Sequence, residues 1–172
     1  HAVAALDHGL DAVGGEYLEG GSLRGSGQRV RVLAEIERAV DARAAPAYRS
    51  FVGKLFRPML KQTGFDPAAG AHAGDSADVS QRRQLAVMRL ARGGRDRALN
   101  RLLADAATKY LAGETAALDP VWFELAFDAF LEGSGLTGAK FLAGKAMASE
   151  DPVFRPAALA SLAATGRKDV AE

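Results

Sequence analysis

Two carboxylates, Glu124 and Asp128, lie one helical turn apart in the otherwise almost wholly apolar stretch 121–131. A pair so placed has the spacing to share acid–base work or to hold a cation. It equally fits the polar strip of a buried helix, meeting an arginine on a neighbour, and the capping residue Asp119 just upstream favours that reading. The only histidines are His1, His8 and His72, and no two fall at i, i+4, so the zinc-peptidase signature H-E-x-x-H is absent. With zero cysteines the chain has neither thiolate metal ligands nor disulfides. Seven arginines crowd one window: Arg82, Arg83, Arg89, Arg92, Arg95, Arg97 and Arg101. Binding a nucleic acid would require them on one face with aromatic side chains for stacking, and the window has no aromatic residue. Spread over two helices and a turn, they read as a solvated, salt-bridged face, with anion or peptide-carboxylate contact as the functional alternative. The glycine run Gly20-Gly21-Ser22-Leu23-Arg24-Gly25-Ser26-Gly27 lacks the lysine of a phosphate loop, and Gly53-Lys54 sits within a helical stripe. No G-x-S-x-G elbow occurs. The residues therefore assign no catalytic, cofactor-binding or metal-ligating position to this chain.

The elements that would position such groups are helices. Tyr48, Phe51, Val52, Leu55, Phe56, Met59 and Leu60 follow the i, i+3, i+4, i+7 spacing of one apolar helical face. Gly64 stands where a C-terminal cap belongs, and Pro58 removes an amide, so a kink or break is expected near Arg57. Segments 2–13 and 28–42 read as shorter helices, joined by an irregular glycine-rich connection at 14–27. The Ala-, Gly-, Pro- and Asp-rich stretch 66–77 reads as a mobile loop. Further on, a helix over 79–92 carries Leu85, Val87, Met88 and Leu90 and is stopped by Gly93-Gly94. The next, 96–111, places Leu99, Leu102, Leu103, Ala106 and Tyr110 on one stripe. Asp119-Pro120 opens a helix over 121–131 that is apolar almost all round and so expected deep in the core. Thr137 is positioned to cap a helix running to Ser149, and Asp151-Pro152 repeats the cap-plus-proline start for a last one ending near Thr165 and Gly166.

These starts recur about every 30–40 residues, within the range of helical solenoids. The fold class is therefore all-α: an α-α superhelix of stacked helix pairs, HEAT- or armadillo-like, with about eight helices. A compact bundle is the competing architecture. One helical domain spans 1–172, less regular over 1–45 and repeat-like over 46–172. Composition agrees, since 48% hydrophobic and 25% charged residues describe an ordinary globular chain. A net charge of +1 gives no global field to recruit nucleic acid or an anionic membrane. No apolar run approaches the roughly 20 residues of a membrane span. The chain starts at His1 without a basic-then-apolar leader and reads as a fragment or processed chain, so localisation is unknown from sequence.

From about Tyr48 onward the order of these features resembles the C-terminal helical domain of the aminopeptidase N family of zinc metallopeptidases. Phe51-Val52-Gly53-Lys54-Leu55-Phe56-Arg57-Pro58-Met59-Leu60 followed by Thr63-Gly64-Phe65 is similar to that family's helix with an internal proline ending in Gly-Trp, with Phe65 in place of tryptophan. Gln84-Leu85-Ala86-Val87-Met88-Arg89-Leu90-Ala91 resembles its leucine–arginine helix with the polar positions shifted. The stretch 106–111 ahead of Leu118-Asp119-Pro120, then Gly133–Gly135, Phe141-Leu142 and Asp151-Pro152, resemble its later segments in order. The region before Tyr48 departs from the pattern. The resemblance implies that zinc and the H-E-x-x-H helix belong to a separate upstream domain, with no counterpart here. This chain would then cap the catalytic domain, restrict or orient peptide substrates, and use arginines such as Arg82 or Arg89 as carboxylate contacts. Implied partners are the catalytic domain of the same parent chain and peptide substrate, with a dimer through an exposed helix edge if upstream helices are missing. A stand-alone helical-repeat interaction module is the alternative.

Overall fold

A computed structural model describes residues 42–165. The expected helix at 2–13, nearly all of that at 28–42, the connection 14–27, and His1, His8 and Gly166 lie outside the described residues. Helix α1 (Ala45–Thr63) buries Tyr48, Val52, Leu55 and Phe56, the inner half of the predicted stripe. Phe51, Met59 and Leu60 pack at its margin. Of the kink or break expected near Arg57, the break does not occur: the helix runs on through Pro58. Pro58 and Lys54, whose carbonyl loses its helical amide, both lie on the exposed side, where water can take the unpaired oxygen. Gly64 then ends the helix with a φ of 66°.

Helix α2 (Ala77–Met88) begins at Ser76, whose Oγ accepts the Val79 amide at 3.4 Å. Its last turn widens into a π turn over Arg89–Gly93. There the Gly94 amide donates to the Arg89 carbonyl at 2.9 Å and the Asp96 amide to that of Leu90, also at 2.9 Å. A Cβ on Gly94 would stand 2.9 Å from the Leu90 oxygen and 3.2 Å from Val52 Cγ1, so glycine lets this turn close against α1. Helix α3 (Arg97–Leu111) buries Leu99, Leu103, Ala106, Ala107 and Leu111. Its core face turns toward Ala107 and Leu111, which leaves Leu102 42% exposed rather than in the stripe.

Two 3-10 turns, Thr115–Ala117 and Pro120–Trp122, lead into α4 (Phe123–Ala148). Asp119 accepts the Val121 amide at 3.0 Å, so the cap-plus-proline signal starts a 3-10 turn and the α-helix follows one turn later. Helix α4 is broken at Gly135, with φ 58° and ψ −147°. Thr137 is therefore inside the second half and caps nothing; the glycine's left-handed backbone makes the break instead. The first half is not buried all round. Phe123, Ala126, Phe127, Ala129 and Leu131 face inward, whereas Glu124 faces solvent, as does Val121 in the 3-10 turn before it. Finally α5 (Phe154–Ala164) starts beyond Asp151, which accepts the Val153 and Phe154 amides at 2.8 and 3.1 Å.

The described residues are all helical, with five α-helices and no strand. Consecutive elements supply the main packing: α1 on α2 and the π turn, α3 on α4, α4 on α5. Aromatic rings fill the second group. Phe123 lies 4.9 Å from Tyr110, 5.3 Å from Phe127 and 6.0 Å from Phe154, mostly edge to face, as ring quadrupoles prefer. No helix among the described residues is long and apolar enough to cross a membrane.

Candidate functional site

Polar side chains fall into two sets, those that hold helices together and those that open onto a cleft. Arg83 belongs to the first. Its side chain is 3% exposed; Nε donates to the Gly64 carbonyl at 2.8 Å and Nη2 to that of Thr63 at 2.6 Å. These are carbonyls that the end of α1 leaves without helical partners, so one guanidinium on α2 caps another helix. Asp75 pairs with the same Nη2. His72 completes the cluster: its Nε2 accepts the Asp66 amide at 2.9 Å and its Nδ1 faces Asp75 at 3.6 Å. Two backbone bonds, Ala69 to Ala116 at 3.0 Å and Asp119 to Pro67 at 2.7 Å, strap the same loop to the segment before α4. The expected mobile loop is thus tied down at both its middle and its ends. His72 serves that purpose, with its imidazole accepting from the backbone rather than facing other metal-ligating side chains. No group of three or more His, Asp or Glu suited to a metal ion occurs among the described residues.

Glu124 and Asp128 also have a structural partner. Arg92 Nη2 lies 3.5 Å from Glu124 and 3.1 Å from Asp128, so the two carboxylates clasp one arginine from the π turn. Nearby, the Ser161 hydroxyl donates to the Glu124 carbonyl at 3.2 Å, joining α5 to α4. Asp96 caps α3 by accepting from Ala98 at 3.1 Å and Leu99 at 3.2 Å, and holds Arg57 Nε at 2.9 Å. Burial pushes the Asp96 carboxyl upward, but those amides and the Arg57 guanidinium outweigh it and hold the group below the usual carboxylate range. The Phe154 and Val153 amides likewise lower Asp151. Burial, with the Asp151 charge added, raises the Tyr110 phenol.

The arginine window divides accordingly. Arg82 pairs with Asp78 at 2.9 Å on the outer face of α2, and Arg89 is buried. Neither of these two residues, which the resemblance offers as carboxylate contacts, lines the cleft between α1, α3 and α4. Arg95, Arg97 and Arg101 instead line an open cleft of about 990 Å³ between α1, α3 and α4. Arg49 joins them from α1; the lining also carries Asp105, one turn beyond Arg101 on α3, and Glu132 on α4. Arg95 reaches Glu132 only at 3.9 Å. Arg49, Arg97 and Arg101 have no ion-pair partner among the described residues. A second hollow of about 660 Å³ continues from it past Asn100 and Arg92. Arg95 has a left-handed backbone, φ 44°, a conformation that L side chains adopt at a cost of about 1 kcal/mol. Arg49 lies outside the window that the sequence singled out. Its position just off the apolar stripe of α1 was the available signal, but which face meets α3 is a tertiary fact. Gly53 is buried within α1 and Lys54 is exposed, so neither forms a phosphate loop, and the run Gly20–Gly27 lies outside the described residues.

Compared with protein-family models, curated proteins and solved structures, the chain matches none.

Proposed function

We propose that this chain is a non-catalytic helical domain that caps the catalytic domain of a zinc aminopeptidase and restricts or orients its peptide substrates. The observation that carries the reading is where the chemistry-bearing side chains stand. Arg83, Asp96, Asp119, Asp151 and the Arg92–Glu124–Asp128 clasp cap helix ends or join neighbouring helices. The motif resemblance from Tyr48 onward adds the parent family. Its Gly64-Phe65 position also has a packing role here, since Phe65 meets Trp122 edge to face at 5.1 Å. In the same reading the helices form part of an α-α superhelix of stacked pairs, supported by packing that runs mainly between consecutive elements. Zinc would reside in the parent's catalytic domain, held by residues outside this chain.

The test is the coding sequence upstream of His1. An H-E-x-x-H motif there, together with no release of 4-nitroaniline from aminoacyl-4-nitroanilides by the purified chain, is the expected result. Its absence from the full-length gene, or turnover by the isolated polypeptide, overturns the proposal. The alternative of a stand-alone interaction module is favoured by the open, partly unpaired arginine cleft. Apolar side chains left on the outside of α4, Phe141 at 48% and Met147 at 67% exposed, give an edge through which an isolated chain would dimerise. Light scattering that shows a strict monomer at high concentration would remove that last point.

A further inference from the structure

The cleft between α1, α3 and α4 presents more positive charge than its own walls neutralise. Four arginines, Arg49, Arg95, Arg97 and Arg101, share the lining with two carboxylates, Asp105 one turn beyond Arg101 on α3 and Glu132 on α4. Of the four only Arg95 comes within ion-pair distance of one of them, Glu132 at 3.9 Å. Guanidinium forks match carboxylate geometry and are less strongly hydrated than ammonium groups, which favours direct pairing with an acidic ligand. Arg97 and Arg101 are four residues apart on one face of α3, so their Cα atoms are separated by about 6 Å along the axis. Alternate residues of an extended peptide are separated by nearly the same distance, about 6.6 Å. A run of carboxylates at every second position therefore keeps step with this pair, with Arg49 and Arg95 flanking it. The lining contains no aromatic side chain on which a base could stack, which disfavours single-stranded nucleic acid.

We propose that this cleft binds an extended acidic peptide segment, with Arg97 and Arg101 pairing carboxylates at alternate positions. The inference stands on the cleft alone and does not depend on the parent being a peptidase; its failure leaves the upstream-motif test untouched.

The experiment uses the full chain and fluorescein-labelled peptides at low salt, read by fluorescence anisotropy. One peptide alternates Glu and Ser; a second has the same number of glutamates at every third position; a third replaces Glu by Lys. Tightest binding is expected for the alternating peptide, and R97E/R101E is expected to weaken it by about tenfold or more. The surface variant R82E, outside the cleft, is expected to leave affinity within about twofold. Far-UV circular dichroism confirms that each variant is folded, which both exposed positions permit. Equal binding of the two Glu peptides overturns the register, and undiminished binding by folded R97E/R101E overturns the site. A single-stranded oligothymidylate of equal charge that binds as tightly, with the same sensitivity to R97E/R101E, overturns the peptide assignment.

Discussion

The two ends of the described structure are held together by different physics. At the α1–α2 end a single buried guanidinium gathers two helix-end carbonyls and Asp75, and His72 and Asp66 fasten the intervening loop. Across α3, α4 and α5, contact is dominated by the rings of Tyr110, Phe123, Phe127 and Phe154. Apolar burial is non-directional and large, so the ring cluster sets how much stability there is. The polar cluster is directional and satisfies groups that would otherwise be stranded, so it sets where the loop and helix end lie. The two ends thus depend on the sequence in two different ways.

That contrast can be broken most directly at its apolar end. Phe127 is fully buried, and Phe127→Ala is expected to lower unfolding free energy by about 3–5 kcal/mol, measured by urea titration. At the polar end Arg83→Met is expected to cost less globally, about 2 kcal/mol, because part of the cluster is solvent-accessible. Its signature is local: faster amide exchange at Asp66 and in the loop up to Asp75, with the α3–α5 amides unchanged. Arg83→Lys should not rescue it, since one ammonium cannot reproduce the planar fork. Uniform exchange in Arg83→Met would show that the two regions form one cooperative unit.

Gly135 tests whether the break in α4 is needed by the aromatic end. Gly135→Ala forces a side chain into φ 58° and should destabilise by about 1–2 kcal/mol in the same titration. The smallest effect concerns the junction of the two regions, where Asp96 caps α3 and pairs with Arg57. Its carboxyl is lowered in the folded state relative to 3.8. The stability it gives is therefore present above that value and is lost as pH falls through the lower, folded one. Asp96→Asn, which keeps a capping oxygen but loses the charge, is expected to be less stable than the parent by about 0.5–1 kcal/mol near neutrality. That gap should narrow in thermal melts taken below about pH 4. A gap independent of pH would mean that the charge contributes nothing.

Much of the helical layout is legible in residue order because it depends on local chemistry. Asp119 and Asp151 each cap the element they precede, and the α1 stripe buries Tyr48, Val52, Leu55 and Phe56 with Phe51, Met59 and Leu60 at its margin. The misreadings of burial share one cause. Periodicity shows that a helix has an apolar side, but not how wide a neighbour covers it, so Leu102 and Val121 read as core and lie exposed. Composition marked 66–77 as a loop without showing that His72, Asp75 and two backbone bonds fasten it. For the arginines, sequence counted charges and the fold sorted them: Arg83 inward, Arg92 onto Glu124 and Asp128, Arg97 and Arg101 onto the cleft.

What the sequence determined by itself, then, is what φ, ψ and side-chain chemistry decide within a few residues: helix class, the aspartate caps, and the helix end at Gly64. What only the tertiary structure decided is which charges meet across segments distant in the chain, including the recruitment of Arg49 to a cleft formed largely by α3 and α4. The physical reason is range. Capping and backbone preference act over one turn, whereas an ion pair or an unpaired cation is defined by whichever helix face happens to pack opposite.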